Sequence, residues 1–231
     1  MTSSLVRHIW DGAIHILRNQ PEPLFPTGRE GLWEEVDSSF DEHANFIELD
    51  PAQTSNYRTS DQAAARNLLL DYCGNLKIAE FEWILLADAD CITLRNLDHL
   101  FDKSTDLLTL TDKESGMPDP GFIAVHSRVF HDFICQWQEV QNSTTESLKA
   151  FSEGQLIHKI ISNNNWRSRD FERGEVVRAS SPETLVTDIA QAAVIHFGGL
   201  PPAQKKNLAF ALHMMSVYNN DEGVFFDMLE S

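Results

Sequence analysis

Cysteine is scarce in this 231-residue chain: Cys73, Cys91 and Cys135 are its only three, and they show no paired spacing. That excludes a disulfide framework and a four-sulfur metal site, and it fits reduced thiols in a cytoplasmic chain. Cys91 adjoins an apolar run that reads as buried. No stretch approaches the ~18 uninterrupted apolar residues of a membrane span. The opening Met1-Thr2-Ser3-Ser4 lacks a basic region followed by an apolar one, so no secretory address and no transmembrane segment are expected. Positive charge is short as well, with 18 Lys and Arg against 35 Asp and Glu, a net charge of -17. So acidic a surface repels nucleic-acid phosphates and anionic lipid, and neither is an expected partner. Any anionic ligand therefore needs a cation supplied locally. Repeats, low-complexity tracts and linkers are absent too. Pro21-Glu22-Pro23-Leu24-Phe25-Pro26 is the best boundary candidate, but the stretch before it is too short for a domain, so a single domain over residues 1–231 is expected.

What the chain does have is a 42% hydrophobic content, enough for a sizeable core. From Ser4 to Arg18, Val6, Ile9, Trp10, Ala13 and Leu17 recur at helical spacing and predict an amphipathic helix despite Gly12. Asn45 to Leu49 reads as a strand bounded by Asp50-Pro51. Thr59 and Gln62 form a capping box for a helix running through Ala63 to Leu70 and stopping at Gly74. Trp83-Ile84-Leu85-Leu86-Ala87, the most apolar run, shows no alternation and predicts a strand covered on both faces of a parallel sheet. Further strands are expected at Leu107 to Leu110, Gly121 to Val125, Glu175 to Ala179 and Ala193 to Phe197. Helices are expected at Ser127 to Gln141, Ser152 to Ser162 and Pro202 to Tyr218. Strands alternating with helices imply an α/β fold with a mixed, mostly parallel sheet flanked by helices. Ligands bind such sheets at the carboxyl ends of the strands.

Asp88-Ala89-Asp90 stands at such an end, directly after the apolar strand. Residues two apart on extended backbone point the same way, so both carboxylates can face one crevice. Two close carboxylates repel unless a cation lies between them. A hard divalent ion, Mn²⁺ or Mg²⁺, meets that need, its remaining positions filled by substrate phosphate oxygens. The plainer reading of the pair is a cap for the helix near Asn96 or a solvated turn.

The segment from Trp83 through Asp88-Ala89-Asp90 to Asn96-Leu97-Asp98-His99-Leu100-Phe101 resembles the D-x-D segment of GT-A-fold glycosyltransferases, most like family 8, the glycogenin and galactosyltransferase type. It departs at Ala87, where that family usually has Leu. The resemblance implies that Asp90 ligates the metal, and that Asp88 contacts both the metal and the ribose of a UDP-type donor, with Ala89 beside the donor. It implies that Arg66 reaches the diphosphate or donor sugar. Asp119-Pro120-Gly121 stands where the family opens a strand along the donor sugar with Asn-Ser-Gly or Asn-Ala-Gly: Gly121 matches, and Asp119 replaces the amide. Glu153-Gly154-Gln155 occupies the place of the family's Asp-Gln pair near the anomeric carbon, although Ser152 and Gln155 also make a capping box. Val194-Ile195-His196-Phe197-Gly198-Gly199 resembles the strand-end His-x-x-Gly whose imidazole is the third metal ligand, with Gly199 at the matching offset. Pro202-Ala203-Gln204 replaces Lys-Pro-Trp, leaving Lys205 and Lys206 to meet the departing phosphate.

The expected function is thus a metal-dependent glycosyltransferase, with Mn²⁺ or Mg²⁺, moving a sugar from a nucleotide-diphosphate sugar to an unknown acceptor. Retention of anomeric configuration is implied by the resemblance alone. Asp88, Asp90, Glu153 and Gln155 are the expected catalytic group; Arg66, Ala89, Asp119, Gly121, Gly199 and Lys205 the donor contacts. The alternative is a non-catalytic relative that binds a glycan, nucleotide or protein. It is favoured by the altered Asp119-Pro120, the missing Lys-Pro-Trp and the lack of an apparent first nucleotide-binding strand. A dehalogenase-type phosphotransferase requires Gly-Thr after the second Asp, where Cys91-Ile92-Thr93 stands instead. The acidic tail reads as a solvated face, with Phe225 and Phe226 docking on the core or on a second subunit of a homo-oligomer.

Overall fold

The computed structural model describes residues 14–18, 44–48, 66, 69–70, 72–75, 81–88, 90–101, 103–112, 115–142, 152–172, 174–179 and 192–198. The first described element is strand β1 (Ile14–Arg18), paired in parallel with β2 (Ala44–Glu48). The helix expected over Ser4 to Arg18 is therefore wrong for its last five residues; positions 4–13 lie outside the described residues. Ile14 and Ile16 are β-branched and alternate, and β2 offers a partner of equal length, so pairing across the chain prevails over a local helical spacing. Arg66, Leu69, Leu70, Tyr72, Cys73 and Gly74 are helical, as expected, and a turn follows at Asn75. The predicted capping box at Thr59 and the helix Pro202 to Tyr218 fall outside the described residues.

The centre of the molecule is a four-stranded sheet in the order β3-β6-β5-β7, formed by β3 (Trp83–Ala87), β6 (Pro118–His126), β5 (Leu107–Thr111) and β7 (Ser168–Asp170). A three-stranded sheet has the order β4-β9-β8, from β4 (Cys91–Thr93), β9 (Val194–His196) and β8 (Val176–Arg178). Helices α1 (Ser127–Asn142) and α2 (Glu153–Asn163) and a single 3-10 turn at Asp98–Leu100 accompany the sheets. The sheets are mixed. Among the described ladders β1–β2, β5–β7 and β8–β9 are parallel, while β3–β6, β5–β6 and β4–β9 are antiparallel. The parallel setting expected for β3 is thus corrected, since its partner β6 runs the other way.

The lack of alternation in β3 nonetheless has the expected cause. Leu86 and Ile84 join a cluster with Ile123, Val125, Leu107 and the apolar faces of both helices, including Phe130, Phe133, Trp137, Leu156 and Ile160. Trp83, Leu85 and Ala87 pack on a second cluster with Phe122, Ala124, Leu108, Cys91 and Val194. Successive residues thus face helices on one side and the smaller sheet on the other, so every position along the strand is apolar.

Strand β6 begins three residues before the predicted Gly121. Its Pro118 and Pro120 lie beyond the last β3 partner, Phe122, on an overhang where a missing N–H costs nothing on that side. The β5–β6 hairpin closes through Gly116 at φ 67°, with its N–H donating to Asp112.

A buried carboxylate fastens the sheet near its other end. Asp106 accepts from Arg128 Nε through one oxygen and from the Arg167 backbone N–H (2.8 Å) through the other. Burial raises its pKa, but these hydrogen bonds outweigh burial and hold it below the usual carboxylate value. The stabilisation is present at neutral pH and is lost as pH falls through the depressed value. Asp106→Ala is expected to cost about 2 kcal/mol at pH 7, discounted for the exposed arginines, with a smaller penalty near pH 3. Urea melts at the two pH values check it, and an equal cost at both would contradict this account.

Candidate functional site

The site forms where the chain leaves one sheet for the other. β3 ends at Ala87, the Asp88 backbone N–H donates to the Gly121 carbonyl (2.8 Å), and Cys91 N–H turns back to the Asp88 carbonyl (3.2 Å). The acidic pair therefore sits in a turn and not on extended backbone, yet both carboxylates approach one imidazole nitrogen. His196 Nε2 lies 3.2 Å from Asp90 Oδ1 and 3.8 Å from Asp88 Oδ2. The imidazole is brought there by β9, whose His196 stands opposite Cys91, and by the Phe197 N–H, which donates to the Asp90 carbonyl (3.0 Å). The ring is buried, and Nε2 has no hydrogen-bond partner.

Nδ1 of the same ring donates to Asp119 Oδ2 at 2.8 Å. Asp119 also accepts the Gly121 N–H on Oδ1 (2.9 Å) and faces Arg178 Nε (3.2 Å). Asp119 was expected beside the donor sugar; its side chain is 4% exposed and both its oxygens are engaged within the protein. Its replacement of an amide has an internal partner in Arg178. Arg178, which the linear sequence did not single out, also binds Asp112 (2.7 Å). Burial lowers the His196 pKa, but Asp119 and Asp90 together outweigh it and raise the value to about 9. Asp119 is itself held below the usual carboxylate value: burial opposes this, and the bond from His196 prevails.

Arg66 lies buried between two acids, with Nη2 donating to Asp88 Oδ1 (2.6 Å) and Nε 3.5 Å from Glu153 Oε1. Its Nη1 has no hydrogen bond. Glu153 comes from the first turn of α2, which presses onto β6 at Gly154, where an added Cβ would lie 2.6 Å from the Pro118 carbonyl oxygen. Gln155 does not join the group. It is exposed, and its Oε1 accepts from the Ser152 N–H (2.9 Å) in a complete capping box, so the structural explanation of Ser152 and Gln155 applies. Ala89, Gly199 and Lys205 lie outside the described residues. Gly121 is at the centre of the site: a Cβ there would lie 2.1 Å from His196 Cε1.

The donor set suits a divalent cation. Asp88, Asp90, Asp112, Asp119 and Glu153 outnumber Arg66 and Arg178, and one buried imidazole nitrogen without a partner faces two carboxylates. Oxygen with a single imidazole fits Mn²⁺ better than Mg²⁺. Cys91 Sγ also lies near Asp90 and His196. It is a poor ligand for a hard ion: burial pushes its thiol well up, and it donates to the Gly121 carbonyl at 3.6 Å. A cleft of about 260 Å³ opens alongside, with Asp112, Met117, Ser152, Glu153 and Arg178 in its wall.

No protein-family model matches the chain, and no curated protein matches it in sequence. Solved structures do. A glycosyltransferase involved in glycosylating the major capsid of the virus PBCV-1 shares 14% identity at a TM-score of 0.55, over 84% of this chain and 97% of that one. The glycosyltransferase GlyE of Streptococcus pneumoniae TIGR4 shares 14% identity at 0.59, over 97% of this chain and 57% of GlyE, so the chain spans little more than half of that protein. The galactosyltransferase LgtC, solved with donor and acceptor sugar analogues, shares 12% identity at 0.57, over 93% of this chain and 88% of LgtC. Identities this low establish the fold, a GT-A-like mixed α/β architecture.

Proposed function

We propose that the chain is a single-domain, metal-dependent glycosyltransferase of the family 8 type, transferring a sugar from a UDP-type donor to an acceptor. The observation that carries this reading is that the buried Nε2 of His196, which makes no hydrogen bond, lies 3.2 Å from Asp90 Oδ1 and 3.8 Å from Asp88 Oδ2. That the neighbours in fold are glycosyltransferases supports it. Asp88, Asp90 and His196 would hold Mn²⁺, with Mg²⁺ the weaker fit. A bound divalent ion supplies Lewis-acid stabilisation of negative charge developing on a leaving diphosphate.

The chain's own groups have separable tasks. Asp88 turns one oxygen to Arg66 and the other toward His196, so the arginine fixes which oxygen faces the cluster. Arg66 offers its free Nη1–H to a donor oxygen, while Glu153 borders the cleft beside it. At about 260 Å³ the cleft is smaller than the ~300–1,000 Å³ of most ligand pockets and suits one sugar ring better than a whole nucleotide sugar. β1 supplies a strand ahead of the Arg66 helix, and its end is our candidate for the base and ribose. Three free thiols, two of them buried, favour a cytoplasmic setting. Among the described residues no helix is long and apolar enough to cross a membrane.

Calorimetric titration with UDP tests this reading. Binding heat is expected with Mn²⁺ present and none with chelator. Heat in neither case would support a non-catalytic relative, and equal heat in both would remove the metal from the account.

A further inference from the structure

We propose that Asp119 and Arg178 are positioning residues that preset His196 as a metal ligand, an inference resting on the metal-site reading above. Asp119 binds the ring directly, and Arg178 binds Asp119. The β8–β9 register sets Arg178 directly opposite His196, so the two side chains leave the same face of the sheet. Both then converge on a single atom, Asp119 Oδ2, at 3.2 Å from Arg178 Nε and 2.8 Å from His196 Nδ1. The other Asp119 oxygen is held by the Gly121 N–H, and the guanidinium is tied at its far side to Asp112 on the β5–β6 hairpin.

The ring has little freedom to turn away. Gly121 and Gly198 flank it so closely that a Cβ on either would stand 2.1 Å or 2.5 Å from Cε1. With Nδ1–H fixed on Asp119, Nε2 is the nitrogen that faces Asp90 and Asp88. A carboxylate on the remote nitrogen sets the tautomer and orientation of a metal-bound imidazole and raises its basicity. Arg178 keeps that carboxylate in place. The smaller sheet thus provides both the ligand and part of the apparatus that aims it.

The test is Mn²⁺ affinity, read from the free-ion electron paramagnetic resonance signal with and without UDP. Wild type, Asp90→Ala, Asp119→Ala, Asp119→Asn and Arg178→Gln are compared, each checked for a cooperative thermal transition. Asp119→Ala is expected to weaken Mn²⁺ binding 10- to 100-fold, the usual effect of losing such a partner. Asp119→Asn retains an acceptor for Nδ1–H and is expected to recover part of the loss, with Arg178→Gln similarly intermediate. A merely structural role would lower the melting temperature without changing the affinity of the folded protein. If Asp90→Ala abolishes binding while Asp119→Ala and Arg178→Gln both bind as wild type, this inference is overturned and the metal site stands. If wild type does not bind Mn²⁺, or Asp90→Ala binds as wild type, the metal site itself fails and this inference with it.

Discussion

Asp90→Ala is expected to weaken Mn²⁺-dependent UDP binding by more than about 100-fold, beyond the range for an outer partner of a metal site, because it removes a carboxylate that would touch the ion. The substitution is well suited to separate chemistry from folding. The Asp90 side chain is 31% exposed, and its backbone carbonyl, which receives the Phe197 N–H, is unchanged by alanine. Thermal stability is expected to fall by only about 1 kcal/mol, from the lost ion pair with His196. The loss would be read by calorimetry in Mn²⁺. Binding of UDP as tight as in wild type would exclude Asp90 as a ligand.

Gly121→Ala is expected to damage both the site and the fold. The added methyl carbon would lie 2.1 Å from His196 Cε1 and 2.4 Å from Nε2, distances that no side chain tolerates. The ring has no retreat, because Asp119 holds Nδ1 and Gly198 closes the adjoining side. Gly121 cannot easily yield either, since its carbonyl receives the Asp88 N–H and its N–H is bound to Asp119. Overpacking of this kind costs ~1–3 kcal/mol, and more where neighbours are fixed. A lower melting temperature together with lost Mn²⁺ binding is the expected pair of results. An unchanged melting temperature with intact binding would show that the ring does not occupy this slot.

Much of this arrangement was legible in the residues themselves. The apolar run of β3, the capping box of α2 and the strand ending in His196 carry local signatures strong enough to survive in the fold. The link between Asp90 and His196 was legible only through resemblance, since nothing in the spacing of two short strands dictates that β4 and β9 pair. β1 was hidden because its five residues continue the helical spacing of those before them, and the partner that makes them a strand lies far along the chain. The partners of Asp119 were hidden for a related reason. Nothing in the linear sequence pairs an Asp in place of an amide with Arg178, and that neighbour depends on the β8–β9 register. Gln155 illustrates the reverse case, where a capping box visible in the sequence was sufficient explanation.

The most direct measurement is an anomalous difference map from crystals soaked with Mn²⁺ and UDP. The account predicts one strong manganese peak within bonding distance of Asp88, Asp90 and His196 Nε2. A map with no peak there, or with the ion bound elsewhere, would contradict it.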